Sequence, residues 1–436
     1  MKIVSAFSLI FTFCILCFTF LISSCSVQSK INRSAKDDVL KASALQTAHV
    51  GISIYEPATG KYWYDYNGEK YFVPASNVKI PTCYAAMKYL GDSLVGLKYI
   101  VEDSAIEIQG TGDPTFLHRD FISQPILIFL KKFKFISLRG NSFFENYWGS
   151  GWAWSDYTEA YMAQRSGLPM YGNIARFEWK GKHRILAIPS SFQVNIRIPN
   201  FDLLNGFALM KPLENNEFIF SDGDDKYKEV PFNPRLDVVK KLLEDTLKTT
   251  VRLDILTPLP KSYIIYSQPT DSVLRPMMHR SDNFFAEQLL LMVSNERLGV
   301  MNDEKIIDTI LKTDFSDLPQ KPRWEDGSGL SRYNLFTPKD MVAILNKMKN
   351  EFGMQRVKNI FPTGGEGTLS NYYIEDSNYI YAKTGSLSGV VALSGYLYTR
   401  KGKELIFSVL VNNHQASGTE VRKAVEKFLQ GVRSKL

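Results

Sequence analysis

Residues 74–80 read Pro-Ala-Ser-Asn-Val-Lys-Ile, and they place a serine and a lysine three positions apart. The apolar residues that follow, as far as Gly91, predict a helix from Ser76 to about Leu90. Side chains three residues apart lie on the same helix face, so Ser76 and Lys79 can meet by a hydrogen bond. A lysine with a lowered pKa can accept a serine proton, so the pair is a candidate nucleophile and base.

Two further motifs follow this pair along the chain. Ser281-Asp282-Asn283 precedes an apolar helical stretch, where the serine can relay a proton and the amide can orient Lys79 or the substrate. Lys383 ends a predicted strand, where its ammonium can lower the pKa of Lys79 and bind a substrate carboxylate. A two-residue motif arises by chance about once in such a chain, whereas each triplet arises in about one chain in twenty. The interpretation as a catalytic site therefore depends on the presence of all three motifs in this order.

The segment Lys-Thr-Gly-Ser at 383–386 adds a docking edge for a substrate. Gly385 would let a substrate acyl group lie against the strand, because no side chain stands in the way. The backbone N–H groups of Ser76 and Ser386 would then point at the carbonyl oxygen that becomes negatively charged. We expect this oxyanion hole to contribute a few kcal/mol, roughly as in other acyl-transfer sites.

The three motifs resemble those of the penicillin-binding proteins and serine β-lactamases. Longer segments are similar to the class C low-molecular-mass D-alanyl-D-alanine carboxypeptidases/endopeptidases of the penicillin-binding protein 4 type, peptidase family S13. These segments are 74–80, 280–287, 326–331, 365–369 and 382–386. The resemblance implies catalytic roles for Ser76, Lys79, Ser281, Asn283 and Lys383, and substrate binding by Thr384, Gly385 and Ser386. We interpret 326–331 as a shaped loop rather than a catalytic group.

The resemblance also implies a reaction and its partners. Ser76 would attack the penultimate D-alanine carbonyl of a peptidoglycan stem peptide, or a D-centred cross-link, and water would release the acyl-enzyme. β-Lactam antibiotics would be covalent inhibitors. Two alternatives remain: a serine β-lactamase, to which a long insertion is foreign, and a non-catalytic wall-binding lipoprotein, against which the intact motifs argue.

Segments at both ends of the chain predict one α+β domain. Two strands around residues 56–60 form a hairpin, and strands at 379–382, 390–398 and 404–412 form an antiparallel meander. The N-terminal strands are expected to pair beside the C-terminal ones, with an amphipathic helix from Gly418 packed on the sheet. This is the antiparallel sheet with helices of a penicillin-binding protein or serine β-lactamase.

The distance between the first two motifs predicts a large insertion. Ser76 and Ser281 are 281 − 76 = 205 residues apart, and short strand-like runs with frequent Pro and Gly occupy 99–261. We therefore predict a β-rich inserted region at 99–261 and a catalytic domain built from 48–98 and 262–436.

The N-terminus predicts export. Lys2 is followed by an apolar stretch to Ile22 and by Ser-Ser-Cys, which is typical of a signal peptide over 1–24. The segment before Cys25 resembles a lipobox and predicts lipid attachment there, with a retained membrane span as the alternative. Residues 25–47 are predicted to be a lipidated tether, with folding from about Ala48. We expect an exported periplasmic lipoprotein bound to the membrane by its lipid, in a leaflet that the sequence leaves open.

Composition limits the other partners. The net charge is +7 without a dense basic run, so no nucleic acid partner is predicted. Cys83 is the one cysteine beyond the predicted lipid site, and its apolar neighbours predict a buried thiol without a disulfide. The five histidines are scattered without zinc-site spacing, so we predict no metal and no cofactor.

Overall fold

The structure is a computed structural model that describes residues 28–140, 143, 147–180, 184–198, 209–220, 227–254, 259 and 261–435. The predicted signal peptide at 1–24 and the predicted lipid site Cys25 lie outside these residues. No helix within the described ranges is both long and apolar enough to cross a membrane.

The described residues form two compact units. The first comprises the residues up to Asn77 together with 318–322 and 335–435, and the second comprises 78–317 and 323–334. The strands are, in chain order, β1 (His49–Glu56), β2 (Lys61–Tyr66), β3 (Ser93–Glu102), β4 (Ala105–Gly110), β5 (Phe135–Arg139), β6 (Ile174–Trp179), β7 (Ile185–Ile188), β8 (Ile196–Arg197), β9 (Leu209–Met210), β10 (Phe218–Phe220), β11 (Tyr227–Pro231), β12 (Thr250–Asp254), β13 (Tyr263–Pro269), β14 (Ile380–Leu387), β15 (Val390–Tyr398) and β16 (Glu404–Asn412). The α-helices are α1 (Lys79–Tyr89), α2 (Pro125–Leu130), α3 (Leu236–Leu247), α4 (Thr270–His279), α5 (Asn283–Leu298), α6 (Asp303–Lys312), α7 (Pro338–Phe352), α8 (Met354–Ile360) and α9 (Gly418–Lys435).

An antiparallel sheet forms the centre of the first unit, in the order β14-β15-β16-β1-β2. β1 pairs with β16, so that His49 lies opposite Asn412. This confirms that the two ends of the chain build one sheet. β15 is buried along nearly its whole length because helices cover both faces: Val391 and Leu393 pack in the core with α9, while the Tyr396 hydroxyl donates to a carbonyl of α7.

The segment before β1 differs from the expected tether. Residues 28–34 are helical, and a π-helix continues at Ala35–Leu40. Ile31, Ala35 and Val39 are fully buried in the same core as α9. The prediction of a tether with folding from Ala48 is therefore wrong for residues 28–45, because apolar residues at four-residue spacing form a buried helix face.

The second unit contains the β-rich part of the chain. Its largest sheet has the order β12-β5-β4-β3-β13, and two three-stranded sheets, β11-β6-β7 and β8-β10-β9, accompany it. Phenylalanines of β6 and β10 pack together in the core of this region. β3 begins at Ser93 and β13 ends at Pro269, so the sheet extends beyond 99–261. The boundaries of the inserted region stay a prediction.

Helices of the second unit hold Lys79 of the first motif and Asn283 of the second. α1 packs against α4 and α5, and α1 is buried from Lys79 to Met87. The Cys83 thiol is fully buried, which confirms its prediction as a small core residue. α5 is also buried over most of its length, so this helix pair is a rigid support for Lys79 and Asn283.

Candidate active site

Ser76 lies in a short 3₁₀ turn, Ala75–Val78, that leads directly into α1. Its side chain is partly exposed, whereas Ala75 and Asn77 on either side are fully buried. Ala75 has a φ of 48°, a conformation that costs a non-glycine residue about 1 kcal/mol or more and persists only where the surroundings enforce it. The strained turn thus exposes the Ser76 side chain while its two neighbours stay buried.

β14 supports this turn from within the first unit. A Cβ atom on Gly385 would lie 2.6 Å from the Pro74 carbonyl oxygen and 3.2 Å from the Ala75 Cβ. Glycine is therefore needed so that the strand can approach the turn. The sequence interpretation gave a different reason, room for a substrate acyl group, but the side-chain position at Gly385 faces the protein itself.

The other residues of the third motif also lie on β14. Lys383 is fully buried, and its ammonium donates to the Thr384 carbonyl at 2.7 Å. The Thr384 hydroxyl donates to Thr368 at 2.7 Å, and the exposed Ser386 accepts a hydrogen bond from Arg422 at 2.6 Å. The strand continues to Leu387, so Lys383 lies in its interior and not at its end as predicted.

Lys79 is fully buried and donates two short hydrogen bonds. Its Nζ lies 2.7 Å from the Asn283 Oδ1 and 2.7 Å from the Ser328 carbonyl oxygen. The Asn283 Nδ2 donates to the Tyr161 carbonyl at 3.0 Å, which fixes the amide so that its oxygen faces the lysine. In the neutral form the amine has two N–H groups and one lone pair, so these two acceptors would leave the lone pair available to take a proton.

The pKa of Lys79 is lowered to about 8, and burial is the main cause. The carboxylates of Asp326, Glu287 and Asp282 oppose this shift, because they stabilise the ammonium form. Burial alone therefore accounts for the direction of the change. The predicted contribution of the Lys383 charge stays a prediction.

The second motif lies where α5 begins. Asp282 caps the helix by accepting from the Phe285 N–H at 2.9 Å, and Arg280 binds the same carboxylate. Ser281 is partly exposed and has a φ of 63°. The cap thus fixes the direction in which Asn283, the first helical residue, reaches Lys79.

Sequence reasoning missed the part of the 326–331 loop that bonds to the lysine. The buried Asp326 carboxylate shapes this loop by accepting from the N–H groups of Gly329 and Ser331 and from Trp152 Nε1, at 2.7 to 3.0 Å. The Ser328 carbonyl then points at Lys79. Its contribution comes from a backbone oxygen, which no residue pattern reveals.

A cavity of about 560 Å³ lies within the second unit beside the second motif. Ser281, Asn283 and Tyr161 line it together with charged side chains that include Arg119, Arg176 and Glu229. Its size is in the range of small-molecule sites. Within the described ranges, no group of three or more His, Cys, Asp or Glu side chains is arranged to hold a metal ion.

The lowered pKa of Lys79 predicts how acylation depends on pH. A base acts in its neutral form, so the rate constant for acylation by penicillin should fall about tenfold per pH unit below a pH of about 8 and level off above it. Stopped-flow measurement with a fluorescent penicillin would give this profile. A rate that stays constant between about pH 6 and about pH 9 would contradict Lys79 as the base.

The chain is similar to known proteins over most of its length. The profile of the D-Ala-D-Ala carboxypeptidase 3 (S13) family matches residues 33–194 and 263–432. The D-alanyl-D-alanine carboxypeptidase of Actinomadura sp. (strain R39) is 26% identical, over 87% of this chain and 80% of that protein. The D-alanyl-D-alanine carboxypeptidase DacB of Haemophilus influenzae is 24% identical, over 82% of this chain and 84% of that protein.

A solved structure confirms the predicted fold class. The crystal structure of penicillin binding protein 4 from Haemophilus influenzae superimposes with a TM-score of 0.72 at 20% identity, covering 92% of this chain and 97% of that one. The α+β architecture, with its antiparallel sheet, helices and additional β-rich part, is thus the fold of that protein. With the family profile matching well over half of its residues, the chain belongs to the D-Ala-D-Ala carboxypeptidase 3 (S13) family.

Proposed function

We propose that the chain is a serine-type D-alanyl-D-alanine carboxypeptidase/endopeptidase that acts on peptidoglycan stem peptides and cross-links and binds penicillin. The observation that carries the proposal is the buried Lys79 amine, whose pKa is lowered to about 8 and whose Nζ donates to the Asn283 side chain and to the Ser328 carbonyl. This is a general base prepared for a serine three residues earlier in the chain. The family and the names of its members support the same activity.

In the proposed reaction, the Ser76 hydroxyl attacks the carbonyl of the penultimate D-alanine while its proton passes to Lys79. The backbone N–H groups of Ser76 and Ser386 stabilise the oxyanion. D-Alanine, or the amine of a cross-link, leaves with a proton relayed through Ser281. Water then hydrolyses the acyl-enzyme and regenerates Ser76.

Substrate recognition is proposed for two places. Thr384 and Ser386 bind a substrate carboxylate along β14, with the buried Lys383 ammonium supplying positive charge behind them, and the cavity beside Ser281 receives a peptide arm of the substrate. A β-lactam presents a strained amide in place of the peptide. A Haemophilus influenzae penicillin binding protein 4 of the same fold has been solved in complex with a β-lactam, with a TM-score of 0.67, which supports the proposed inhibitor class.

The deciding experiment is to incubate the purified protein with pentapeptide and cross-linked muropeptides and to identify the products by mass. Loss of one D-alanine indicates carboxypeptidase activity, and conversion of dimers to monomers indicates endopeptidase activity. Unchanged muropeptides together with absent penicillin labelling would contradict the proposal and favour a wall-binding lipoprotein. Rapid turnover of nitrocefin with unchanged muropeptides would favour a β-lactamase.

We also propose that the protein is exported and anchored by a lipid on Cys25. The apolar segment and the lipobox-like residues before Cys25 support this. Labelled palmitate should enter the full-length protein in cells, and the Cys25→Ser variant should lose all of that label. Equal labelling of the variant would contradict lipid attachment at this cysteine, and Cys83→Ser is the matched control because that thiol is buried.

A further inference from the structure

A buried group of charged side chains lies next to Lys79 in the second unit, and no sequence motif gives it a function. Arg165 and Glu287 are each 1% exposed, and Asp326 is fully buried. The Arg165 guanidinium binds both the Glu287 carboxylate, at 3.4 Å, and Asp303 at the start of α6. Moving a charged group from water into the interior costs roughly several kcal/mol, so a buried group of this kind calls for a reason.

Ser328 joins this charged group to the lysine. Its N–H donates to the Glu287 Oε1 at 2.8 Å, and its carbonyl accepts from the Lys79 Nζ at 2.7 Å. Glu287 lies one helical turn after Asn283 on α5, so the two acceptors that hold the amine are both fixed by the same helix. A shift of the Glu287 carboxylate would therefore move the Ser328 carbonyl relative to Asn283.

The loop has little freedom to compensate for such a shift. A Cβ atom on Gly327 would lie 2.6 Å from the Ala286 carbonyl oxygen on α5, so the loop rests directly on the helix. The Gly327 carbonyl also accepts from the Thr82 hydroxyl on α1, at 2.7 Å. The loop is thus clamped between α1 and α5, with the Glu287 carboxylate at the point of contact.

We propose that Glu287 is a positioning residue of the reaction, which holds the Ser328 carbonyl against Lys79 and places a carboxylate near that amine. This inference rests on the proposed function, in which Lys79 is the base.

The charges around Glu287 support its influence on the lysine. Arg165, Asp303, Asp326 and Lys79 face it from the elements packed against it. Burial and the Asp326 charge raise the pKa of Glu287 to about 7, and Arg165 opposes them. An ionised Glu287 raises the pKa of Lys79, so the charge of one group affects the proton of the other near neutral pH.

Two substitutions test separately the two roles of Glu287, which are its hydrogen bond to Ser328 and its negative charge. Glu287→Gln keeps a carbonyl oxygen for the Ser328 N–H but removes the charge, so the midpoint of the acidic limb of penicillin acylation should fall by about one pH unit. The plateau rate at high pH should stay within about twofold of wild type. Glu287→Asp keeps the charge but withdraws the oxygen from Ser328, so the midpoint should stay while the plateau rate falls about tenfold or more.

Glu56→Gln is the matched control. Glu56 is a buried carboxylate of β1 that bonds to Thr59, Trp63 and Lys403. Its replacement removes a buried charge that has no contact with Ser328. This variant should keep both the midpoint and the plateau of wild type. If Glu287 had only a structural role, all three variants would differ from wild type in thermal stability alone.

Acylation profiles of the full protein from about pH 5.5 to about pH 9.5 test the proposal. A wild-type midpoint in folded Glu287→Gln, or a wild-type plateau in folded Glu287→Asp, would overturn it. If the aspartate variant does not fold, the midpoint of the glutamine variant decides. Labelling that persists in Ser76→Ala would instead overturn the proposed function, so the two failures are distinguishable.

Discussion

Replacing Ser76 with alanine should abolish covalent labelling by a fluorescent penicillin and lower D-alanine release by about 10³-fold or more. The variant lacks the oxygen that attacks the carbonyl, and no acyl-enzyme can form without it. The partly exposed position tolerates the smaller side chain, and alanine already precedes it in the turn. Labelling is measured on denaturing gels and by intact mass, and D-alanine by a coupled oxidase assay.

Ser272→Ala is a control for this change, since Ser272 is another serine at a helix start and its hydroxyl bonds only locally, to the Pro269 carbonyl at 2.6 Å. This variant should label at the wild-type rate. Stoichiometric labelling of Ser76→Ala would show that another nucleophile acts, and the assignment of the site would then be wrong.

Replacing Lys79 with methionine should slow acylation by about 10²- to 10⁴-fold, the range over which a positioned general base contributes. Methionine has a similar length and suits the buried position, but it has no lone pair that can take the serine proton at neutral pH. The residual acylation rate of this variant should no longer fall below a pH of about 8, because the group that titrates there is absent. Stopped-flow traces across pH measure both effects.

Lys211→Met provides a close control. Lys211 is 3% exposed, its pKa is also lowered to about 8 by burial, and it donates to Asn233 at 2.8 Å. It lies outside the three motifs, so its replacement should change thermal stability and leave acylation intact. Similar losses of acylation in both variants would mean that Lys79 acts through the fold rather than as a base.

The sequence predicted the parts of the fold that depend on local pattern. The alternation and turn residues at both ends of the chain predicted the strands of the first unit, and the spacing around Val421 predicted α9. The buried helix face formed by Ile31, Ala35 and Val39 has the same four-residue spacing. Most of the other residues in this segment are polar, and this composition led to the wrong prediction of an unfolded tether.

The candidate site was predictable only where side chains bear the chemistry. The first two motifs give Lys79 and Asn283 directly, and the structure joins the two side chains at 2.7 Å. Glu287 and Ser328 lie within segments that the family resemblance already includes, yet their contacts involve a backbone N–H and a carbonyl. Backbone groups are the same in every residue, so which of them faces a lysine follows only from the folded loop.

If Cys25 carries a lipid as proposed, the buried N-terminal helix limits the distance between the first unit and a membrane. The described helix begins at Gln28, whose side chain donates to the Trp63 carbonyl, and 28 − 25 = 3 residue steps separate it from Cys25. Such a stretch spans about 10 Å at most. With the lipid in the bilayer, the first unit, which carries Ser76, would be held next to the headgroups, so the enzyme would act on wall strands close to the membrane.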